Sequence, residues 1–96
     1  MIKHVSVFTL KDKKEIEKML EMLEEVSHCP LIIHSEVGAN VTKHEGPGPH
    51  FGDIIQILTF KDQADLDAYP STSEHMKLFL EGPEMETVTA IDYNID

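Results

Sequence analysis

The 96-residue sequence contains no arginine, and its eight lysines are outnumbered by 18 aspartates and glutamates, which gives a formal net charge of −10. An acidic surface of this kind repels phosphate groups, so the composition predicts neither nucleic-acid binding nor binding to an anionic membrane surface. No apolar run approaches the ~20 residues that span a bilayer. The first residues also lack the apolar segment and the cleavage site of a signal peptide.

The sequence has a single cysteine, Cys29. One thiol excludes a disulfide framework and suits a reducing compartment, so we expect a cytoplasmic protein. Cys29 falls at the predicted end of a helix, where the helix dipole disfavours a thiolate, so it is interpreted as a small buried hydrophobe. The length predicts one domain, residues 1–96, with a thin core, so association with a second copy is expected.

The hydrophobic pattern predicts four strands and three helices. Alternation over residues 2–10 indicates a strand with apolar side chains on both faces. Apolar residues at helical spacing from Ile16 to Val26, with acidic residues opposite, indicate an amphipathic helix that begins at Asp12. Residues 31–41 read as a second strand, in which Gly38 suggests a bulge or a close backbone approach.

The second half of the chain begins with a Gly-Pro-rich loop over residues 42–52, which is long for a hairpin. The nearly continuous apolar run of residues 53–60 predicts a central strand. A short helix capped by Asp62 reaches Tyr69, and a further helix is predicted to begin at Ser71, which has capping-box spacing to Glu74. Residues 86–95 form the last predicted strand.

This order is the split βαβ arrangement of a ferredoxin-like α+β fold, a four-stranded antiparallel sheet with helices on one face. Because the first, third and last strands carry apolar side chains on both faces, the face without helices would be an unusually large exposed apolar patch on a monomer. We therefore expect two copies to pack sheet to sheet as a dimeric α/β barrel. The predicted partner of the chain is thus a second copy of itself, in a homodimer.

Motifs for established chemistry are scarce. No Gly-rich phosphate loop, Ser-His-Asp order or paired-carboxylate motif is visible. No two histidines have the tight spacing of known zinc motifs, so neither a transition-metal site nor a cofactor is predicted. The residues that could suggest a metal site are His34, Glu36, His44, Glu45 and His50.

Tyr69 and His75 are candidate catalytic residues. An imidazole takes up a proton near neutral pH, and a phenol can hydrogen-bond a developing enolate oxygen. Pro70 lies between the two residues, so a helix-turn-helix corner could bring them together. In the alternative interpretation Tyr69 packs under the corner with its hydroxyl tied to the backbone, and His75 hydrogen-bonds within the start of the helix.

His4 and Phe8 are candidate ligand-binding residues, because they share one face of the first strand with Ser6. If that face meets the helices, His4 looks into a pocket and could orient a ligand carbonyl. The alternative is a half-buried histidine that holds a backbone carbonyl.

Several segments resemble the stress-responsive α/β-barrel (Dabb) domain family of the dimeric α/β-barrel superfamily. The similar segments are the start at residues 1–8, Val-Gly-Ala-Asn at residues 37–40, residues 53–62, the Ala68-Tyr69 pair, His75 in the following helix, and Ile-Asp-Tyr at residues 91–93. The resemblance implies a ferredoxin-like protomer, a homodimer and a pocket between sheet and helices. It extends over essentially the whole chain.

The resemblance also implies roles for the candidate residues. In a plant polyketide cyclase of this family, a tyrosine and a histidine carry an intramolecular aldol closure, and by motif position they correspond to Tyr69 and His75. The pocket histidine of that enzyme's first strand corresponds to His4. This chain departs from the pattern at Thr72-Ser73, where the family has His-Pro, and at Ile54, where that enzyme has a further histidine.

The sequence and the resemblance therefore support two functions. The first is a Dabb homodimer of unassigned activity whose modest pocket binds a small apolar or aromatic ligand. The second is a cofactor-free enzyme of the polyketide-cyclase kind, with His75 as the base and Tyr69 holding the substrate oxygen.

Overall fold

The computed structural model describes residues 1–42 and 52–95 and contains the predicted elements in the predicted order. The four strands are β1 (Ile2–Leu10), β2 (Ile32–Ala39), β3 (Ile54–Phe60) and β4 (Met85–Asn94). The three α-helices are α1 (Ile16–Val26), α2 (Gln63–Ala68) and α3 (Ser73–Glu81). Short 3-10 helices precede α1 (Lys13–Glu15) and join α2 to α3 (Tyr69–Ser71). This is the predicted ferredoxin-like α+β fold.

The strands form one antiparallel sheet in the order β2-β3-β1-β4. The two central strands are β1 and β3, and the central position of β3 is the one that its nearly continuous apolar run predicts. The register places His4 opposite Leu58 of β3 and Asp92 of β4, so these three residues share one face of the sheet. That face carries the helices, because Phe8 and Leu10, which share it with His4 along β1, are buried in the core.

Helix α1 supplies much of the cover for the sheet. The Asp12 side chain accepts a hydrogen bond from the Lys14 amide and begins the helical segment, as predicted. Met19, Leu23 and Val26 are buried in the core, while the acidic positions on the opposite side are exposed. Cys29 is buried beside this stripe as the predicted small hydrophobe. The apolar stripe therefore holds α1 on the sheet.

The start of α3 differs from the prediction by one residue. The N-cap is Thr72, whose Oγ1 accepts a hydrogen bond from the His75 amide, and not Ser71. Ser71 is the last residue of the preceding 3-10 helix. Sequence spacing alone does not separate the two positions, because both hydroxyl residues precede the same helical run. Of the apolar residues in α3, only Leu78 is buried.

The sheet face without helices, here called the open face, is rich in apolar side chains. Its apolar members are Val5 and Val7 of β1, Ile55 and Ile57 of β3, and Ile91 and Tyr93 of β4. Ile91 is 67% exposed, and Ile55 and Tyr93 are also exposed. The described residues therefore leave a contiguous apolar surface of the kind that monomers rarely carry.

Gly38 does not have the predicted structural role. It pairs regularly with Ile55, and the irregularity of β2 lies instead between Ile32 and His34. Among the described residues, no atom lies within 4 Å of where a Gly38 side chain would begin. Gly52 has a positive φ of +89°, which residues other than glycine rarely adopt, and a Cβ there would lie 2.4 Å from Val7 Cγ1. This position therefore requires glycine.

The predicted loop over residues 42–52 lies outside the described residues from position 43 to 51, as do His44, Glu45 and His50. Each helix in the described part of the chain is too short or too polar to cross a membrane.

Candidate functional site

The corner between α2 and α3 brings Tyr69 and His75 together. The 3-10 turn at Tyr69–Ser71 contains Pro70, and the Thr72 hydroxyl donates to the Tyr69 carbonyl at 2.7 Å while it caps α3. The two rings lie 4.9 Å apart between centroids in an edge-on arrangement. The Pro-Ser-Thr turn therefore fixes the two candidate residues next to each other.

The corner borders a cavity of about 310 Å³. His4, Tyr69, His75 and Asp92 line it, together with Gln63, Leu66, Asp67 and Pro70. Its volume is at the lower end of the range for small-molecule sites, and its lining combines ring faces with carboxylates and imidazoles. Three of the four predicted site residues thus share one cavity.

Tyr69 forms the buried wall of this cavity. Its ring packs against Phe60, 5.3 Å between centroids, and against His4 at 6.1 Å. Burial raises the pKa of the Tyr69 phenol well above its ordinary value, and the nearby Cys29 and Glu74 raise it further. The phenol is therefore neutral at physiological pH and can act as a hydrogen-bond donor. At the corner, the Tyr69 carbonyl accepts hydrogen bonds from the Thr72 hydroxyl and the Thr72 amide.

The raised pKa of Tyr69 predicts a loss of stability in alkali. Above about pH 10 the unfolded chain releases the Tyr69 proton and the folded chain keeps it, so the free energy of unfolding should fall as pH rises. In Tyr69→Phe the free energy of unfolding should fall less steeply with pH, by up to about 1.4 kcal/mol per pH unit. Urea unfolding at about pH 8 and about pH 11 measures the effect. Tyr93→Phe is the control when the protein is dilute enough to be monomeric, since Tyr93 is exposed in the protomer; equal slopes in wild type and Tyr69→Phe would contradict the assignment.

His75 presents one ring nitrogen to the backbone. Its Nδ1 lies 3.2 Å from the Pro70 carbonyl oxygen. Since a carbonyl only accepts hydrogen bonds, Nδ1 carries the proton and Nε2 carries the lone pair in the neutral ring. His75 therefore hydrogen-bonds within the helix start, as in the alternative interpretation, and still keeps a basic nitrogen.

His4 is engaged at both ring nitrogens. Nδ1 hydrogen-bonds Asp92 Oδ1, and Nε2 lies 3.0 Å from Ser6 Oγ. The structure therefore pairs His4 with two side chains and not with the backbone carbonyl of the alternative interpretation. Because a carboxylate accepts, Nδ1 donates to Asp92, and in the neutral ring Nε2 accepts from the Ser6 hydroxyl.

Asp92 and Ser6 are the residues of this site that sequence reasoning missed. Asp92 lies 88 positions from His4 in the chain, and only the register of β1 against β4 brings the two together. The usable signal was the fold itself, because the first and last strands are neighbours in a ferredoxin-like sheet. A Ser-His-Asp hydrogen-bonded set is therefore present, although no sequence motif indicates it.

The remaining candidates lie elsewhere. Phe8 is buried in the core opposite Ile54 and does not line the cavity. His34 and Glu36 lie on the open face with 4.0 Å between Nε2 and Oε1. Residues 1–42 and 52–95 contain no group of three or more side chains arranged to hold a metal ion.

The sheet order, the external helices and the cavity at the α2–α3 corner define a ferredoxin-like α+β protein. The family model of the Stress responsive A/B Barrel Domain (Dabb) matches residues 2–95. The chain belongs to the Dabb family.

Solved structures share this fold. A Dabb family protein with a ferredoxin-like fold from Mesorhizobium loti is 25% identical, with a TM-score of 0.78 over 98% of this chain and 95% of that chain. A dimeric ferredoxin-like protein of unknown function from Thermobifida fusca is 17% identical, with a TM-score of 0.78 over 98% and 90% of the two chains. A hydroxynitrile lyase from Passiflora edulis is 16% identical, with a TM-score of 0.77 over 99% and 93%. Among proteins of curated function, none matches the chain.

Proposed function

We propose that residues 1–96 act as one domain that functions as a homodimer through the open face. Relatives described as dimeric ferredoxin-like proteins, such as the one from Thermobifida fusca, support this assembly. So does the apolar character of the open face, since Ile55, Ile91 and Tyr93 are exposed in the protomer. Packing two such faces together would remove both apolar surfaces from water.

We further propose that the cavity binds a small ligand that presents a carbonyl or phenol oxygen beside an apolar ring. The observation that carries this proposal is that Tyr69 and His75, 4.9 Å apart, line one cavity. The neutral Tyr69 phenol donates a hydrogen bond to the ligand oxygen, and His75 Nε2 accepts a proton or hydrogen bond from the ligand. His4 adds a ring face at 6.1 Å from Tyr69.

The same geometry supports a second function, a cofactor-free aldol cyclase. His75 Nε2 would take a proton from a carbon next to a carbonyl, while the Tyr69 hydroxyl stabilises the enolate oxygen. The enolate carbon would then attack a second carbonyl of the same molecule, and that oxygen would regain the proton. The His75–Pro70 hydrogen bond favours this function, because it fixes the tautomer that leaves Nε2 basic.

Ligand binding can be tested with single-ring aromatic ketones that carry a phenol group, beginning with dihydroxyacetophenones. Titration followed by NMR should shift the resonances of Tyr69 and His75. Tyr69→Phe should weaken binding about 5- to 10-fold, the effect of one neutral hydrogen bond. Tyr93→Phe changes a tyrosine outside the cavity and should leave the affinity as it is. If none of these compounds shifts a cavity resonance, the binding proposal fails.

A further inference from the structure

A hydrogen-bonded line of three side chains crosses the helix-facing side of β1 and β4. Asp92 Oδ1 accepts from His4 Nδ1, and His4 Nε2 lies 3.0 Å from Ser6 Oγ. The fold sets this geometry, since His4 and Ser6 are two apart on one strand face and Asp92 is the direct partner of His4 on β4. A carboxylate that fixes the tautomer of a histidine, which in turn accepts from a serine, is the arrangement that activates serine nucleophiles.

We propose that Ser6 is a nucleophile that accepts the acyl group of a small neutral ester, with His4 as its base and Asp92 as the positioning residue. This activity shares His4 with the cavity that Tyr69 and His75 line, but it requires neither Tyr69 nor His75. It would make the protein an esterase of small acyl groups.

Gln56 provides an independent observation at the same place. It is 2% exposed, and its Nε2 has no hydrogen-bond partner among the described residues. An unpaired buried amide is costly and rare in folded proteins. Gln56 is the direct cross-strand neighbour of Ser6 on β3, on the same face. Side chains so paired lie close enough for the Gln56 amide to donate to the oxyanion that forms when Ser6 attacks a carbonyl.

The proposal requires a substrate to approach Ser6 from the β4 side, across Ala90. Ser6 itself is 3% exposed, but its partner on β4 is Ala90, a small and exposed residue on the same face. Val88, next to Ala90 on that face, is also exposed, so the described helices leave this part of β4 uncovered. An acyl group lying over Ala90 would reach Ser6 Oγ.

The charges near the line indicate the substrate class. The cavity that reaches His4 and Asp92 is also lined by the Asp67 carboxylate and by no lysine, and the chain contains no arginine. An anionic substrate would meet like charges without a basic partner. Neutral esters with a short acyl group are therefore the expected substrates.

The reaction balances without a cofactor. Ser6 Oγ bonds to the acyl carbon while its proton moves to His4 Nε2. The carbon–oxygen bond to the leaving group then breaks, and the leaving alcohol or phenol takes the proton from His4. Water repeats the sequence on the acyl-serine, which releases the carboxylic acid and restores the Ser6 hydroxyl.

The probe is 4-nitrophenyl acetate, which yields coloured nitrophenolate and an acetylated protein. Intact-mass measurement with peptide mapping should place one acetyl group on Ser6 of the full chain. Ser6→Ala should lose that modification, whereas Ser6→Cys should carry the acetyl group at the same position. Ser71→Ala, which removes an exposed serine on the α2–α3 corner, is the matched control and should be modified like the wild type.

Two variants separate a functional arrangement from a merely structural one. Asp92→Asn should slow acetylation of Ser6 by roughly 100-fold or more and move the His4 proton away from Nδ1 in nitrogen NMR. Gln56→Met should slow acetylation by roughly 100-fold while raising the urea midpoint, because it removes an unpaired buried amide. Acetylation confined to lysines in the wild type, or an unchanged rate in Asp92→Asn, would overturn the proposal.

Discussion

Ile91→Glu should convert the proposed homodimer into a monomer. Ile91 lies on the open face and is 67% exposed in the protomer, so a glutamate there costs the isolated fold little. In a symmetric sheet-to-sheet interface the change buries two unpaired carboxylates, one from each copy. The dimer dissociation constant should therefore rise by about 100-fold or more.

Sedimentation velocity at micromolar concentration measures this change. Val88→Glu is the matched control, because Val88 is an exposed residue of the same strand on the opposite face. It adds the same charge and should leave the dimer intact. A wild-type protein that sediments as a single chain, or an Ile91→Glu variant that stays dimeric, would show that the open face is not the interface.

Asp53→Ala should cost about 3 kcal/mol of folding stability, the largest effect expected at a single side chain outside the apolar core. The buried Asp53 carboxylate accepts from the Leu10 amide and from Lys13 Nζ, both at 2.7 Å. Alanine would leave the fully buried Leu10 N–H without this acceptor. It would also unlink the start of β3 from the 3-10 turn that precedes α1.

Urea unfolding of the purified chain measures this loss. Asp53→Asn keeps an acceptor oxygen for Leu10 and removes the charge that attracts Lys13, so it should cost about 1 kcal/mol, clearly less than alanine. Equal losses in the two variants would mean that the charge, and not the hydrogen bond to Leu10, sets the effect.

Most of the fold could be predicted from residue patterns. The apolar run of β3 identifies a central strand, and the stripe on α1 identifies its buried side. These signals work because burial repeats with the period of the backbone. The N-cap of α3 was predicted one residue too early, because Ser71 and Thr72 carry the same hydroxyl group one residue apart.

The candidate site could be predicted only in part. Tyr69 and His75 are close in the chain, so the turn at Pro70 already suggested their contact. The partners of His4 were not predictable in the same way, because Asp92 reaches it through strand register, and a shift of one residue would have put that carboxylate on the open face. The prediction of a bulge or close backbone approach at Gly38 was wrong. Gly38 pairs regularly with Ile55, and no described atom lies within 4 Å of where its side chain would begin.

The position of β4 at the edge of the sheet has a consequence for the dynamics of the molecule. Within residues 1–42 and 52–95, β1 is the one strand that pairs with β4, and almost all side chains of β4 are exposed in the protomer. Such a strand detaches by local opening at a lower cost than global unfolding. Each opening event would carry Asp92 away from His4 and so release the tautomer that Asp92 fixes. A second subunit packed on the open face, which includes Ile91 and Tyr93 of β4, would make such opening rarer.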